Sequence, residues 1–352
     1  MAYPPISETV LNTSIKSNAH EPYYSYQSDI DLYDIHQFTN GQPFKTYDDL
    51  RSNSPIYFQN PPEWDVEPGA WMLTSYKDIM EVSSNPKIYS SQAATGNLMT
   101  LGNPETRHPK LWQTSIDHML NLDGSFHLDL RREHMPFFKP GYVDELHKKV
   151  EIKVETLLDA IAKVGKSNLV KDLSQQIPIF TLSEVLGIPE EDRHKLATWM
   201  EFLELAQYFA AENMKQTQGK AEEMEVDTSM IELFESMIGE MFDYGKHILQ
   251  EKRMNPQNDL LSAIANAELD GAKLSQEYLD GSWLLIIFAG NDTTRNSISG
   301  AIKLLSEFPE QKKKLLSNLD LLPNFAQETI RMVSPVIHMR RTTTCETTLG
   351  NQ

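Results

Sequence analysis

Apolar residues at 143, 146, 150, 154, 157, 158 and 161 fall on one face of a helical spiral and predict a helix over 143–164. Similar stripes predict helices over 76–83, 173–186, 190–211, 224–254, 256–267, 310–316 and 324–333. Several of these stop at a breaker such as Gly187, Pro189 or Pro335. The longest candidate runs over 275–308, about 33 residues or roughly 50 Å, and ends at Pro309. Before Pro140 the pattern is weaker. Residues 56–58 and 70–74 read as two short strands, separated by the Pro- and Gly-containing stretch 61–69. Residues 1–40 form a polar arm with one short helix over 29–37, and 90–111 is a long loop of the kind that carries binding functions. The β-branched, Thr-rich tail 336–349 reads as strand. The pattern as a whole predicts a mainly α fold with a minor β part, an arm over 1–40 and one domain over 41–352.

Composition narrows the function. Lys plus Arg number 32 against 50 Asp plus Glu, a formal net charge of −18, which excludes a nucleic-acid binder because phosphate neutralisation needs a basic surface. The single cysteine, Cys345, excludes an internal disulfide or a Cys-cluster metal site. The longest apolar run, Trp283 to Ala289, is far short of the roughly 20 residues that span a bilayer, so no transmembrane segment is expected. Met1 to His20 lacks the apolar core of a signal peptide, and the protein is expected in the cytoplasm.

Three features carry candidate chemistry. After the apolar run, Gly290, Asn291, Asp292, Thr293 and Thr294 arrive within the expected long helix. A mid-helix Gly costs about 1 kcal/mol against Ala, and Thr and Asp are poor interior residues. The stretch reads either as a polar patch between packed helices or as a place where Gly290 admits a large group and Asp292 and Thr293 relay protons. Glu328 and Arg331 form an i, i+3 pair. His127 and Arg131, four apart, share a helix face and suit an anion.

In this order and context, the chain resembles the cytochrome P450 family, the haem-thiolate monooxygenases, in its soluble bacterial form. Ala289-Gly290-Asn291-Asp292-Thr293-Thr294 resembles the oxygen-activating signature, Glu328-Thr-Ile-Arg331 the Glu-x-x-Arg motif, and His127-x-x-x-Arg131 a haem-propionate clamp. Pro335-Val-Ile-His-Met-Arg-Arg341 resembles the segment whose arginine binds a propionate. The resemblance implies heme b (iron protoporphyrin IX) held by His127, Arg131, Ala289, Gly290, Thr294 and Arg341. It makes Asp292 and Thr293 catalytic, and places Glu328 and Arg331 in the scaffold behind the haem. The pocket it implies is lined by Leu98, Met99, Phe202, Leu205, Phe209, Ile287, Ala289, Val336 and Ile337, all apolar, for an alkyl chain, fatty acid, branched lipid or sterol side chain. Partners implied are O2 and a ferredoxin or flavodoxin with its reductase, meeting a basic face around Lys139, His147, Lys148 and Lys149.

The sequence departs from the family at one point. No Phe-x-x-Gly-x-x-x-Cys loop occurs in it, and Cys345 stands in Thr-rich surroundings away from such a loop. The P450 domain is therefore expected to be incomplete at its C-terminus, with no metal ligand in this chain and the Cys ligand beyond Gln352. The alternative is a non-catalytic helical lipid-binding or interaction protein derived from that fold.

Overall fold

The structure, a computed structural model, describes residues 30–32, 34–38, 41–59, 69–92, 109–203, 205, 228–269 and 271–352. Its helices are α1 (Phe44–Asn53), α2 (Tyr76–Ser84), α3 (Pro109–Thr114), α4 (Gly124–His134), α5 (Pro140–Val164) and α6 (Gln176–Leu186). They continue with α7 (193–203), α8 (Thr228–Met254), α9 (Leu260–Asn266), α10 (Gln276–Ala289), α11 (Asp292–Glu307), α12 (Pro309–Ser317) and α13 (Leu322–Val333). The strands are β1 (Ile56–Gln59), β2 (Ala70–Leu73), β3 (Tyr89–Ser90), β4 (Glu268–Leu269), β5 (Ala272–Lys273) and β6 (Thr342–Thr343), paired antiparallel as β1–β2, β3–β6 and β4–β5. The expected mainly α fold with a minor β part is what forms.

The described residues cluster in two units. One holds 129–203, 205 and 229–338. Its core includes Leu186, Leu196, Trp199, Met241, Leu261, Ile264, Tyr278, Leu279, Trp283 and Ile287, all nearly inaccessible to solvent. Pro140 opens α5, where its missing N–H costs nothing, and Gly165 closes it in the left-handed conformation at φ 78°. A single π-helical turn over Val170–Ser174 leads into α6. Lys252 and Asp259 form a buried ion pair in this unit. Asp259 also caps α9, accepting the Ser262 N–H at 2.7 Å, and Gln257 accepts from Lys252 Nζ at 3.2 Å.

The other unit holds the described residues among 30–128 together with 228 and 339–352. β1 and β2 pair with Ile56 opposite Leu73, and Phe58 meets Trp71 edge to face at 5.1 Å. The Asp123 carboxylate binds the Ser90 hydroxyl and the N–H groups of Ser91 at 3.1 Å and Gln92 at 3.3 Å, which pins the end of β3.

Several elements differ from the sequence pattern. The 275–308 helix is two helices, α10 and α11. The tail contributes only Thr342–Thr343 as strand, because its partner β3 offers two residues. In place of the 29–37 helix there is one 3₁₀ turn, Ile35–Phe38. The chain over 190–192 is also 3₁₀ before α7 begins, and the predicted helix beyond 205 lies outside the described residues. The chain over 44–53 carries no clear apolar stripe yet forms α1, which buries Leu50 alone. The predicted loop 90–111 ends in α3, and 93–108 lie outside the described residues.

Two predictions follow from buried charge. Asp259→Ala should cost about 3–5 kcal/mol in urea denaturation, because it strands Lys252. Replacing both, Lys252→Met with Asp259→Asn, should cost less, since no lone charge remains and Asn still caps α9. The second concerns His118 and His134, whose pKa values burial lowers to about 4. At His118 a backbone hydrogen bond at Ser115 opposes burial, but burial prevails. Both are neutral in the folded chain, whereas the unfolded chain takes up their protons near 6.5. Stability should therefore be intact above pH 6.5 and fall as pH drops toward 4, by about 3 kcal/mol per histidine. Urea midpoints across that range should drop less steeply in His118→Gln and His134→Gln than in the wild type.

Candidate functional site

The apolar stretch ending α10 is held by one aromatic anchor. Trp283 is 1% exposed, and its indole N–H donates to the Met241 carbonyl at 2.9 Å. A Cβ at Gly245 would lie 2.5 Å from the Trp283 ring, so the glycine lets α8 close against it. Six residues further on, the helix breaks. The Gly290 N–H reaches the Ile286 carbonyl at 3.0 Å, and the ladder resumes where the Arg295 N–H reaches Asn291 O at 3.0 Å. Between them Asn291 sits at φ −108°, ψ −57°.

This corrects the expectation that the polar residues lie inside a continuous helix. Asp292, Thr293 and Thr294 open a new helix instead. A carboxylate in a first turn faces the positive end of the helix dipole, so Asp292 is favourable where mid-helix it would not be. It accepts from the Arg295 guanidinium and from the Asn296 amide at 3.0 Å. The Thr293 hydroxyl donates to the Ala289 carbonyl at 3.4 Å, a long contact that bridges the break.

At Gly290 a Cβ would lie 2.8 Å from Leu182 Cδ1, so the missing side chain accommodates Leu182 of α6. Ala289 and Thr294 are exposed, and Asp292 and Thr293 are half-buried. Asn291 is 2% exposed, and its Oδ1 has no hydrogen-bond partner. Sequence reasoning missed Asn291, whose burial only the fold shows. Arg295, three residues after Asp292, was visible as an ion-pair partner from spacing.

His127 and Arg131 share α4 as expected, with His127 half-buried and Arg131 exposed. Arg341 is half-buried and donates to its neighbour's carbonyl, Arg340 O, at 2.8 Å. Arg51, Arg132, Arg193, Arg295 and Arg331 each pair with a carboxylate. Among the described residues no carboxylate pairs with Arg131 or Arg341.

Glu328 and Arg331 form a bidentate pair at 2.6 and 2.7 Å, exposed by 57% and 66% at their side chains. The pair holds the Glu328 carboxyl below its ordinary range. Its carrier helix, α13, buries Thr329 alone. Of the expected pocket residues, Ile287 is fully buried, Phe202 is half-buried against Phe234 at 5.3 Å, and Leu205, Val336 and Ile337 are exposed. Leu98, Met99 and Phe209 lie outside the described residues. The expected basic face is partly neutralised, with Lys148 on Glu145 at 2.6 Å and Lys149 on Glu184 at 2.7 Å. Among the described residues no group of three or more His, Cys, Asp or Glu could hold a metal ion, and no helix is long and apolar enough to cross a membrane.

The cytochrome P450 family model matches residues 88–352. The chain is 29% identical over 323 residues to linalool 8-monooxygenase of Pseudomonas putida, covering 92% of this chain and 75% of that one. It is 25% identical over 321 residues to a steroid C26-monooxygenase of Mycolicibacterium smegmatis, covering 91% and 71%. A solved cytochrome P450 of Mycobacterium marinum, in complex with pseudoionone, superposes with a TM-score of 0.74 at 26% identity, covering 93% of this chain and 77% of that one.

The orphaned amide oxygen of Asn291 gives a direct test. An unpaired buried acceptor costs about 1–3 kcal/mol, and an apolar group of the same shape removes that cost. Asn291→Leu should therefore leave the thermal midpoint unchanged or raise it, whereas Asn291→Asp should lower it by burying a charge.

Proposed function

The chain belongs to the cytochrome P450 family, an enzymatic family of haem-thiolate monooxygenases, and from that premise we propose that it hydroxylates a lipophilic substrate bearing an alkyl chain. The observation that carries the proposal is the break between α10 and α11. It presents the Asp292 carboxylate and the Thr293 hydroxyl at the start of a helix, beside an apolar stretch ending at Ala289.

The residues present fit the haem. In a chain of net charge −18, Arg131 and Arg341 pair with no described carboxylate, which suits two anionic propionates, and His127 shares a helix with Arg131. On the family resemblance, His127, Arg131 and Arg341 would each offer heme b a charge-assisted hydrogen bond, and the resemblance assigns further haem contacts to Ala289, Gly290 and Thr294. When bound, the haem supplies oxygen activation. Cys345 is exposed, and no role as iron ligand is assigned to it.

Asp292 and Thr293 would move protons. Asp292 is half-buried, within reach of water, and release from Arg295 would free its carboxylate to relay a proton. The Thr293 hydroxyl bonds weakly to Ala289 O at 3.4 Å, so little is lost when it turns to a bound reactant. The relatives named for linalool and for steroid C26, and the structure that holds pseudoionone, support a lipophilic substrate. A ferredoxin or flavodoxin would deliver the electrons.

In a haem-loaded form of the enzyme, Thr293→Ala should bind substrate nearly as the wild type does but form less product per NAD(P)H consumed. Asp292→Asn should slow turnover and raise the solvent isotope effect, because an amide does not relay protons as a carboxylate does. Full coupling in the first and wild-type rate in the second would overturn the assignment. Fatty acids, alkanes and sterols should shift the ferric spin state on titration, and a shift given only by small polar aromatics would overturn the substrate class.

A further inference from the structure

Trp283 does more than anchor α10. Its ring lies 5.9 Å from Tyr244 and 6.2 Å from Trp199, and Trp199 lies 5.2 Å from Tyr244, centroid to centroid. The three easily oxidised side chains therefore form one mutually touching cluster within a single unit. Both tryptophans are almost wholly buried, whereas Tyr244 is half-buried. The Tyr244 hydroxyl donates to Asp192 Oδ2 at 2.9 Å. Asp192 is held as a carboxylate, its pKa lowered chiefly by a hydrogen bond from Lys195, whose Nζ lies 2.8 Å from Oδ1. Lys195 Nζ also sits 5.0 Å from the Tyr244 ring centroid.

Plain packing accounts for three aromatic rings in contact. The polar end, a phenol partnered by a carboxylate, adds a specific chemistry to that packing. A phenol aimed at a carboxylate is the arrangement that lets tyrosine lose an electron and a proton together. Burial and Asp192 both raise the Tyr244 pKa, so loss of the proton alone is disfavoured. A lysine over the ring disfavours a lingering cationic radical. A neutral radical, formed as the proton crosses to Asp192, avoids both costs.

We propose that Trp283, Trp199 and Tyr244 form a relay that carries an oxidising equivalent from α10 to the surface, with Asp192 as proton acceptor. A strong one-electron oxidant takes one electron from Trp283 and is itself reduced by one. The hole passes to Tyr244 directly or through Trp199. Tyr244 gives up its electron to fill the hole and its phenol proton to Asp192, leaving a neutral tyrosyl radical, a protonated Asp192 and both tryptophans restored. A soluble one-electron reductant of the thiol or enediol class then returns the electron, and Asp192 returns the proton. The source of the oxidant rests on the monooxygenase reading, under which oxygen activation would supply a one-electron oxidant. The relay itself does not depend on that reading.

The test needs no haem. In the 352-residue chain carrying Cys345→Ser, a ruthenium photo-oxidant is tethered through Ala289→Cys, an exposed position about 9 Å along the helix from Trp283. Flash oxidation with an external electron acceptor, followed by freeze-quench EPR, reads the radical. The expected product is one tyrosyl radical whose hyperfine pattern changes when fluorotyrosine is placed at position 244, a substitution that leaves packing intact. Tyr244→Phe should replace it with a tryptophan radical, Asp192→Asn should lower the tyrosyl yield several-fold, and Trp283→Phe should lower the total yield several-fold. A tyrosyl signal that fluorotyrosine at 244 does not alter, or that persists in Tyr244→Phe, would overturn the relay and leave the monooxygenase reading untouched.

Discussion

The contact on which the described site depends is the hydrogen bond from the Trp283 indole to the Met241 carbonyl. It ties α10 to α8 deep in the core, where an unmade bond would leave a buried donor unpaired. The large flat ring excludes any side chain at Gly245 and meets Trp199 and Tyr244 on its other contacts. With α10 fixed in this way, the residues one to two turns further on, Ile287 to Gly290, have little freedom in where they emerge.

Where α10 ends, the physics changes from burial to polarity. Leu182 fills the space left by the absent side chain of Gly290, and the backbone ladder skips before resuming at Arg295. That skip turns residues that burden a helix interior into residues that favour a helix start. Asp292 gains the dipole, Arg295 and Asn296, and Thr293 reaches back to Ala289. The cost is concentrated at Asn291, which is buried with an orphaned oxygen.

Charge is distributed with the same economy. In a strongly acidic chain most described arginines are consumed by nearby carboxylates, several of them three residues away in sequence. Arg131 and Arg341 pair with no carboxylate among the described residues, which follows from position, not composition. By contrast the Glu328–Arg331 pair, with good bidentate geometry, is solvent-exposed, where screening leaves little of its attraction. The buried Lys252–Asp259 pair is the reverse case. It is shielded from water, and breaking it strands a charge in the core.

The sequence by itself determined the helical content, because the apolar periodicity over 143–164 and 173–186 is dictated by which side chains water rejects. It also determined the motifs at 127–131, 289–294 and 328–331, since these are local and spacing alone puts their members together. What the sequence left open is what depends on distant partners. Nothing in 283–308 marks Asn291 as buried or shows that the helix ends at Gly290, because Leu182 lies more than a hundred residues earlier. The exposure of Glu328 and Arg331, the pairing of Lys149 with Glu184, and the meeting of Trp199, Tyr244 and Trp283 were likewise decided only by the tertiary structure. Periodicity records which face of a helix avoids water, but not which other helix covers it, and each of those contacts joins residues on separate elements or depends on what covers their helix.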